Sequence, residues 1–96
     1  MKLYYVPYSG SFPAAMLING HKLVFLAEEE EAFLDELYRF GADHVQQVEV
    51  GESREEQEQA FSSIAQQVDG GIVVAPSDVG LTELISKLES ELPWIH

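Results

Sequence analysis

The amino-acid sequence predicts an α/β fold bordering on α+β, with helices packed on a mixed sheet of about five strands. Three observations carry that reading. Asn19-Gly20 joins two apolar runs, "AAMLI" and "HKLVFL", and this dipeptide tolerates the positive φ angles of a type I′ hairpin turn. Two later stretches, 60–68 and 81–92, carry apolar residues at the spacing of one helix face. Short runs rich in valine, at 44–50 and 71–75, alternate with them, and such alternation implies parallel pairing through crossovers.

Taken in order, "KLYYV" (2–6) reads as a strand that ends at Pro7, and "PYSGSFP" (7–13) as a loop. The hairpin turn then pairs Ile18 with His21, Leu17 with Lys22 and Met16 with Leu23. Its second arm is apolar on both faces (Leu23 and Phe25; Val24 and Leu26), which places it inside the sheet and covered on both sides. From Glu28 the period becomes helical: Phe33, Leu34, Leu37 and Tyr38 share a face, and Gly41 occupies the place of a C′ glycine. After the 44–50 strand, Ser53 and Glu56 form a capping box for a helix whose stripe is Ala60, Phe61, Ile64, Ala65 and Val68. Asp69-Gly70-Gly71 ends it, and "GIVVA" (71–75) is a buried strand. "PSD" (76–78) opens a last helix, with Ser77 or Asp78 as its cap and Leu81, Leu84, Ile85, Leu88 and Leu92 facing the core. Pro93 stops it. The expected topology is an N-terminal antiparallel strand and hairpin followed by β-α-β-α-β-α, with 22–26, 44–50 and 71–75 paired in parallel. No linker or repeat divides the chain, so residues 1–96 read as a single domain.

Charge narrows the function classes. Seventeen acidic residues stand against five basic ones, a net charge of −12, and the basic residues form no stripe. Such a field repels phosphate backbones and anionic lipid, so neither nucleic acid nor a membrane surface is an expected partner. Cysteine is absent, which excludes disulfides and thiolate chemistry and fits a reducing compartment. No apolar run is long enough for a signal-peptide core or a bilayer span, so the expected location is cytoplasmic.

Ligands of open α/β sheets bind beyond the carboxyl ends of the parallel strands. Three segments fall there: Glu28, Glu29, Glu30 and Glu31; then Glu52 and Ser53; then Ser77 and Asp78. All three are acidic, which disfavours phosphate. Each also opens an expected helix, where carboxylates offset the positive end of the dipole. His21, His44 and His96 have no metal-pair spacing, and no serine sits in a Gly-x-Ser-x-Gly elbow. No catalytic residue, metal ligand or cofactor fingerprint emerges. Tyr8 and Phe12 in the loop, and Trp94 after Pro93, are aromatic candidates for a contact surface, with the four consecutive glutamates as an acidic face beside them. The expected function is a small acidic, non-catalytic interaction or regulatory module that binds a protein partner, in particular a basic one. The alternative is a small-molecule or divalent-cation site at the carboxyl edge (Glu52, Ser53, Ser77, Asp78), serving a weak metal-dependent enzyme. A homodimer through an open hairpin arm or Trp94 is also accommodated.

Overall fold

A computed structural model describes residues 1–33 and 36–95. It contains six strands: β1 (Lys2–Ser9), β2 (Phe12–Pro13), β3 (Met16–Ile18), β4 (His21–Ala27), β5 (His44–Val50) and β6 (Gly71–Ala75). Two α-helices, α1 (Arg54–Val68) and α2 (Leu81–Glu91), follow β5 and β6. The strands form one mixed sheet, as the sequence predicts.

β4 lies inside it and realises the two-sided burial read from its apolarity. Val24 and Leu26 pack on one face with Tyr4, Val6, Val50 and Ile64 of α1. Phe25 and Ala27 pack on the other with Ile18, Phe33, Phe40, and Leu81 and Ile85 of α2. Val24, Phe25 and Leu26 have no exposed surface. At about 1.5–3 kcal/mol for each fully buried large apolar side chain, these residues supply much of the force joining the layers.

The hairpin keeps the expected register, Ile18 opposite His21, Leu17 opposite Lys22 and Met16 opposite Leu23. Asn19 and Gly20 both have positive φ, 53° and 88°. Asn19 also does something the turn alone does not require. Its buried side-chain amide donates to the backbone carbonyls of Glu89 (2.9 Å) and Leu92 (2.7 Å), which the end of α2 leaves without helical partners. A turn residue thus closes a helix some seventy positions away.

The strand order departs from the expected one. β4 and β6 are parallel neighbours, Leu23 opposite Gly71 through Ala27 opposite Ala75. β5, however, pairs with β1, antiparallel, from Lys2 opposite Val50 to Tyr8 opposite His44. β1 in turn meets β4 at Tyr5 opposite Ala27. β5 therefore points the same way as β4 and β6 but is separated from β4 by an antiparallel strand. Beyond Tyr5, β1 and β4 part, and residues 12–18 fill the gap, β2 against β1 and β3 against β4.

Pro7 does not end β1. It sits opposite Val45, and its carbonyl accepts from Ala14 N–H (2.9 Å) on the edge away from β5. N–H and C=O of one antiparallel residue share an edge, so the missing N–H subtracts nothing from the β5 ladder.

Among the described residues the expected helix from Glu28 does not form either. The described part holds two 3-10 turns, Glu30–Ala32 and Leu37–Phe40; Leu34 lies outside the described residues. An α-helix here would stack Glu28 with Glu31 and Glu31 with Asp35, like-charge pairs costing about 0.2–0.5 kcal/mol each. Phe33 and Phe40 anchor the segment instead. Phe40 meets Phe25 and Phe33 edge to face at 5.4 and 5.8 Å. Tyr38, expected to share a helix face with Phe33 and Leu37, is exposed, while Gly41 takes the expected left-handed cap with φ 66°.

α1 begins at its capping box, Ser53 Oγ accepting from Glu56 N–H (3.2 Å). Gly70 behind it lies so close to β4 that a Cβ would clash with the Lys22 carbonyl oxygen. α2 starts later than expected, with Gly80 rather than Ser77 or Asp78 at its N-cap and no side-chain cap.

Replacing Asn19 by Ala removes both carbonyl contacts of α2 and puts a less tolerant residue at positive φ. We expect a loss of about 2 kcal/mol in urea unfolding, whereas Gln47→Ala on the exposed face of β5 stays within about 0.5 kcal/mol.

Candidate functional site

Because β4, β5 and β6 run in one direction, their carboxyl ends share one edge of the sheet. Glu28–Glu31, Glu52 and Ser53, and Ser77 and Asp78 are all exposed there. The antiparallel β1 brings its amino end to the same edge, between the first two groups. Lys2 Nζ lies 2.6 Å from Glu28 Oε1, and the Met1 amino group 3.2 Å from Glu52 Oε1. The Glu28 carboxylate, with Tyr4 beside it, raises the Lys2 pKa above its usual value. Ser53 is committed to capping α1, its hydroxyl also donating to Glu56 Oε1 (2.9 Å). Glu28–Glu31 do not open an α-helix, so a helix dipole does not account for them.

At this edge a cavity of about 40 Å³ lies between the ends of β4 and β6, lined by Glu28, Glu29, Ala32, Pro76, Ser77 and Val79 among others. That is room for a water or two, far below the roughly 300–1,000 Å³ of small-molecule sites. Among the described residues no three His, Asp or Glu side chains converge as a metal site would need. Glu52 and Asp78 do not line the cavity.

The aromatic loop proves to be a tight turn with β1 and β2 as its arms. Tyr8 is half-buried against the His44 ring, 5.9 Å between centroids, while Phe12 is 63% exposed. Asp43 ties the turn down: Gly10 N–H donates to its Oδ2 (3.1 Å), and His44 Nδ1 donates to its Oδ1. The His44 contact, and then the Gly10 N–H, hold the Asp43 carboxyl below the usual aspartate range. Gln46 Nε2 donates to His44 Nε2 (3.1 Å), so both ring nitrogens have partners within the chain.

Trp94 and Leu17 border one surface groove. After α2 the chain turns back onto the hairpin: Ile95 N–H donates to Asn19 O (3.0 Å), and His21 Nε2 to Pro93 O (2.8 Å). The backbone is held, yet the Trp94 side chain is 68% exposed. It lines a groove of about 420 Å³ with Leu17, 66% exposed, together with Ile18, Arg39, Ile85 and Glu89. Sequence reasoning placed Leu17 only as a hairpin residue. The usable signal was its cross-strand partner, a lysine: a leucine opposite an exposed Lys22 is itself on an exposed face. Phe12, Trp94 and the four glutamates are not gathered into one site, since the glutamates lie beyond Ala27 and the groove lies beside the opposite end of β4.

Comparison with protein-family models, with curated proteins and with solved structures finds no significant match. Among the described residues no helix is long and apolar enough to cross a membrane.

Two outcomes follow from these geometries. Millimolar Mg²⁺ or Ca²⁺ is expected to raise the melting temperature no more than a monovalent salt of matched ionic strength; a specific shift of several degrees would restore the carboxyl-edge cation site. Asp43 has a lowered pKa in the folded chain, so it contributes stability above the ordinary aspartate value of about 3.9, and that contribution is lost as pH falls through the lowered pKa. Asp43→Asn should therefore be less stable than the parent at pH 6, with the difference closing below about pH 4 in urea titrations.

Proposed function

We propose that the protein is a non-catalytic interaction module that works in the cytoplasm by binding a basic protein partner. The observation that carries this reading is the groove formed by Trp94 and Leu17. Two large apolar residues, each about two-thirds exposed, border one groove, and the backbone on either side of Trp94 is held, Ile95 N–H donating to Asn19 O and His21 Nε2 to Pro93 O. An exposed tryptophan on an ordered backbone is the kind of residue that dominates binding energy, because little freedom remains to be lost on contact.

Charge supports the choice of partner. Of the five basic residues, Lys2, Arg39 and Arg54 are engaged with Glu28, Glu36 and Glu58. Glu29, Glu30, Glu31, Glu55 and Asp78 remain exposed, with no ion pair among the described residues. A surface of this sign accelerates encounter with a basic protein and opposes nucleic acid and anionic membranes. Phe12 and the Glu28–Glu31 face would add contacts at the periphery.

The test is affinity capture from the native host with the parent chain and with a Leu17→Ser, Trp94→Ala variant of matched circular dichroism. A partner held by the parent, released by moderate salt and lost from the variant is expected. Equal capture by both chains, or none by either, overturns the reading.

A further inference from the structure

We infer that the groove beside β3 is a strand-docking site: an extended basic segment of the partner adds to the free edge of β3 at Leu17 and seats an apolar side chain against Ile85 and Trp94. This rests on the interaction reading above and adds to it the mode of binding and the chemistry of the segment.

The backbone of Leu17 is the first ground. β3 has β4 as its one neighbour among the described residues. In a hairpin closed by two residues, the flanking pair, Ile18 and His21, exchanges both hydrogen bonds, and so does Met16 with Leu23. The pair between them, Leu17 and Lys22, exchanges none, so Leu17 N–H and C=O point away from β4. Neither makes a backbone contact elsewhere among the described residues. Leu17 thus presents a donor and an acceptor together on one edge, which is what an added strand requires. A groove of about 420 Å³ runs beside that edge, floored by Ile85 of α2 and flanked by Trp94.

Charge selects the occupant. Two charged residues line the groove, Arg39 and Glu89. Arg39 is committed to Glu36 at 3.1 Å and lies 3.5 Å from Thr82 Oγ1. The Glu89 carboxylate makes no ion pair among the described residues. The groove therefore offers an incoming strand an uncompensated negative charge, on a chain whose net charge is −12. A second copy would bring its own Glu89 and its own −12 to the same place. Because alternate side chains of a strand share a face, an apolar side chain and a Lys or Arg two positions along the segment enter the groove together, the first against Ile85 and Trp94 and the second beside Glu89.

The probe is an N-acetylated, C-amidated hexapeptide with leucine and two lysines at alternate positions and threonine between them, titrated into the full chain. Trp94, the single tryptophan, reports by its emission, and the Leu17 amide by its NMR shift and solvent exchange. Binding should shift the emission to the blue and slow exchange at Leu17. A copy N-methylated at alternate residues keeps the charge but cannot donate along one edge, and it should bind at least about tenfold more weakly. Leu17→Pro removes the outward N–H without removing a bond to β4 and should weaken the unmodified peptide to a similar degree. If that variant unfolds, the N-methylated peptide still decides the matter.

Equal affinity of the two peptides, or perturbation centred on Glu28–Glu31 instead of Leu17, overturns strand docking. So does sedimentation showing the free chain to be a dimer with the Leu17 amide already protected. If the peptide fails while the Trp94 and Leu17 variant still loses its captured partner, strand docking alone is wrong. If the variant keeps the partner, the interaction reading itself falls.

Discussion

The pleat of β4 is the constraint on which the other elements depend. Val24 and Leu26 face α1, Phe25 and Ala27 face α2, and no polar side chain interrupts the run. A strand with no solvent-facing side must have neighbours on both edges and a layer on both faces. β6 on one edge and β1 with β3 on the other meet the first demand, and the helices and the phenylalanine-anchored connection the second. The connection from β4 to β5 shows how far this goes. It contributes two short 3-10 turns in its described part, yet Phe33 and Phe40 keep it in the layer because Phe25 requires cover there.

What could be read from sequence was what is local. Asn19-Gly20 specified the hairpin and its register, the Ser53–Glu56 box marked the start of α1, and the stripe ending at Leu92 marked α2. Each depends on residues within a few positions of one another. The position of β1 was not legible, because pairing with β5 instead of ending beside the hairpin is decided between segments far apart in the chain. Pro7 misled for a related reason: a proline stops a strand only where its missing N–H would have been used. In the 28–40 segment the apolar spacing suited a helix and the glutamates suited its first turn, whereas their mutual repulsion opposes one.

The candidate surface divides in the same way. Trp94 was recognisable by residue type, whereas the end of α2 that precedes it is held by a side chain, Asn19, whose contacts with α2 have no sequence signature beyond the turn it occupies. Leu17 stands out once its outward-facing backbone is considered with the groove. The acidic carboxyl edge was legible as composition, but its meaning changed. β1 inserts Lys2 among the carboxylates, and the glutamates after Ala27 are not the first turn of an α-helix. What is left is an acidic rim, partly neutralised by the strand that interrupts the parallel set.

That interruption has a consequence for how the chain acquires its structure. The hairpin of β3 and β4 is sequence-local and closes on a microsecond scale. β1, by contrast, finds its full-length neighbour about forty residues downstream, and the loop-closure entropy of that pairing is met only when His44–Val50 is available. During synthesis from the amino end, Tyr4 and Val6 remain without the β5 ladder until residue 50 has emerged. The sheet is therefore assembled inside out, with its earliest-made strand among the last to be enclosed.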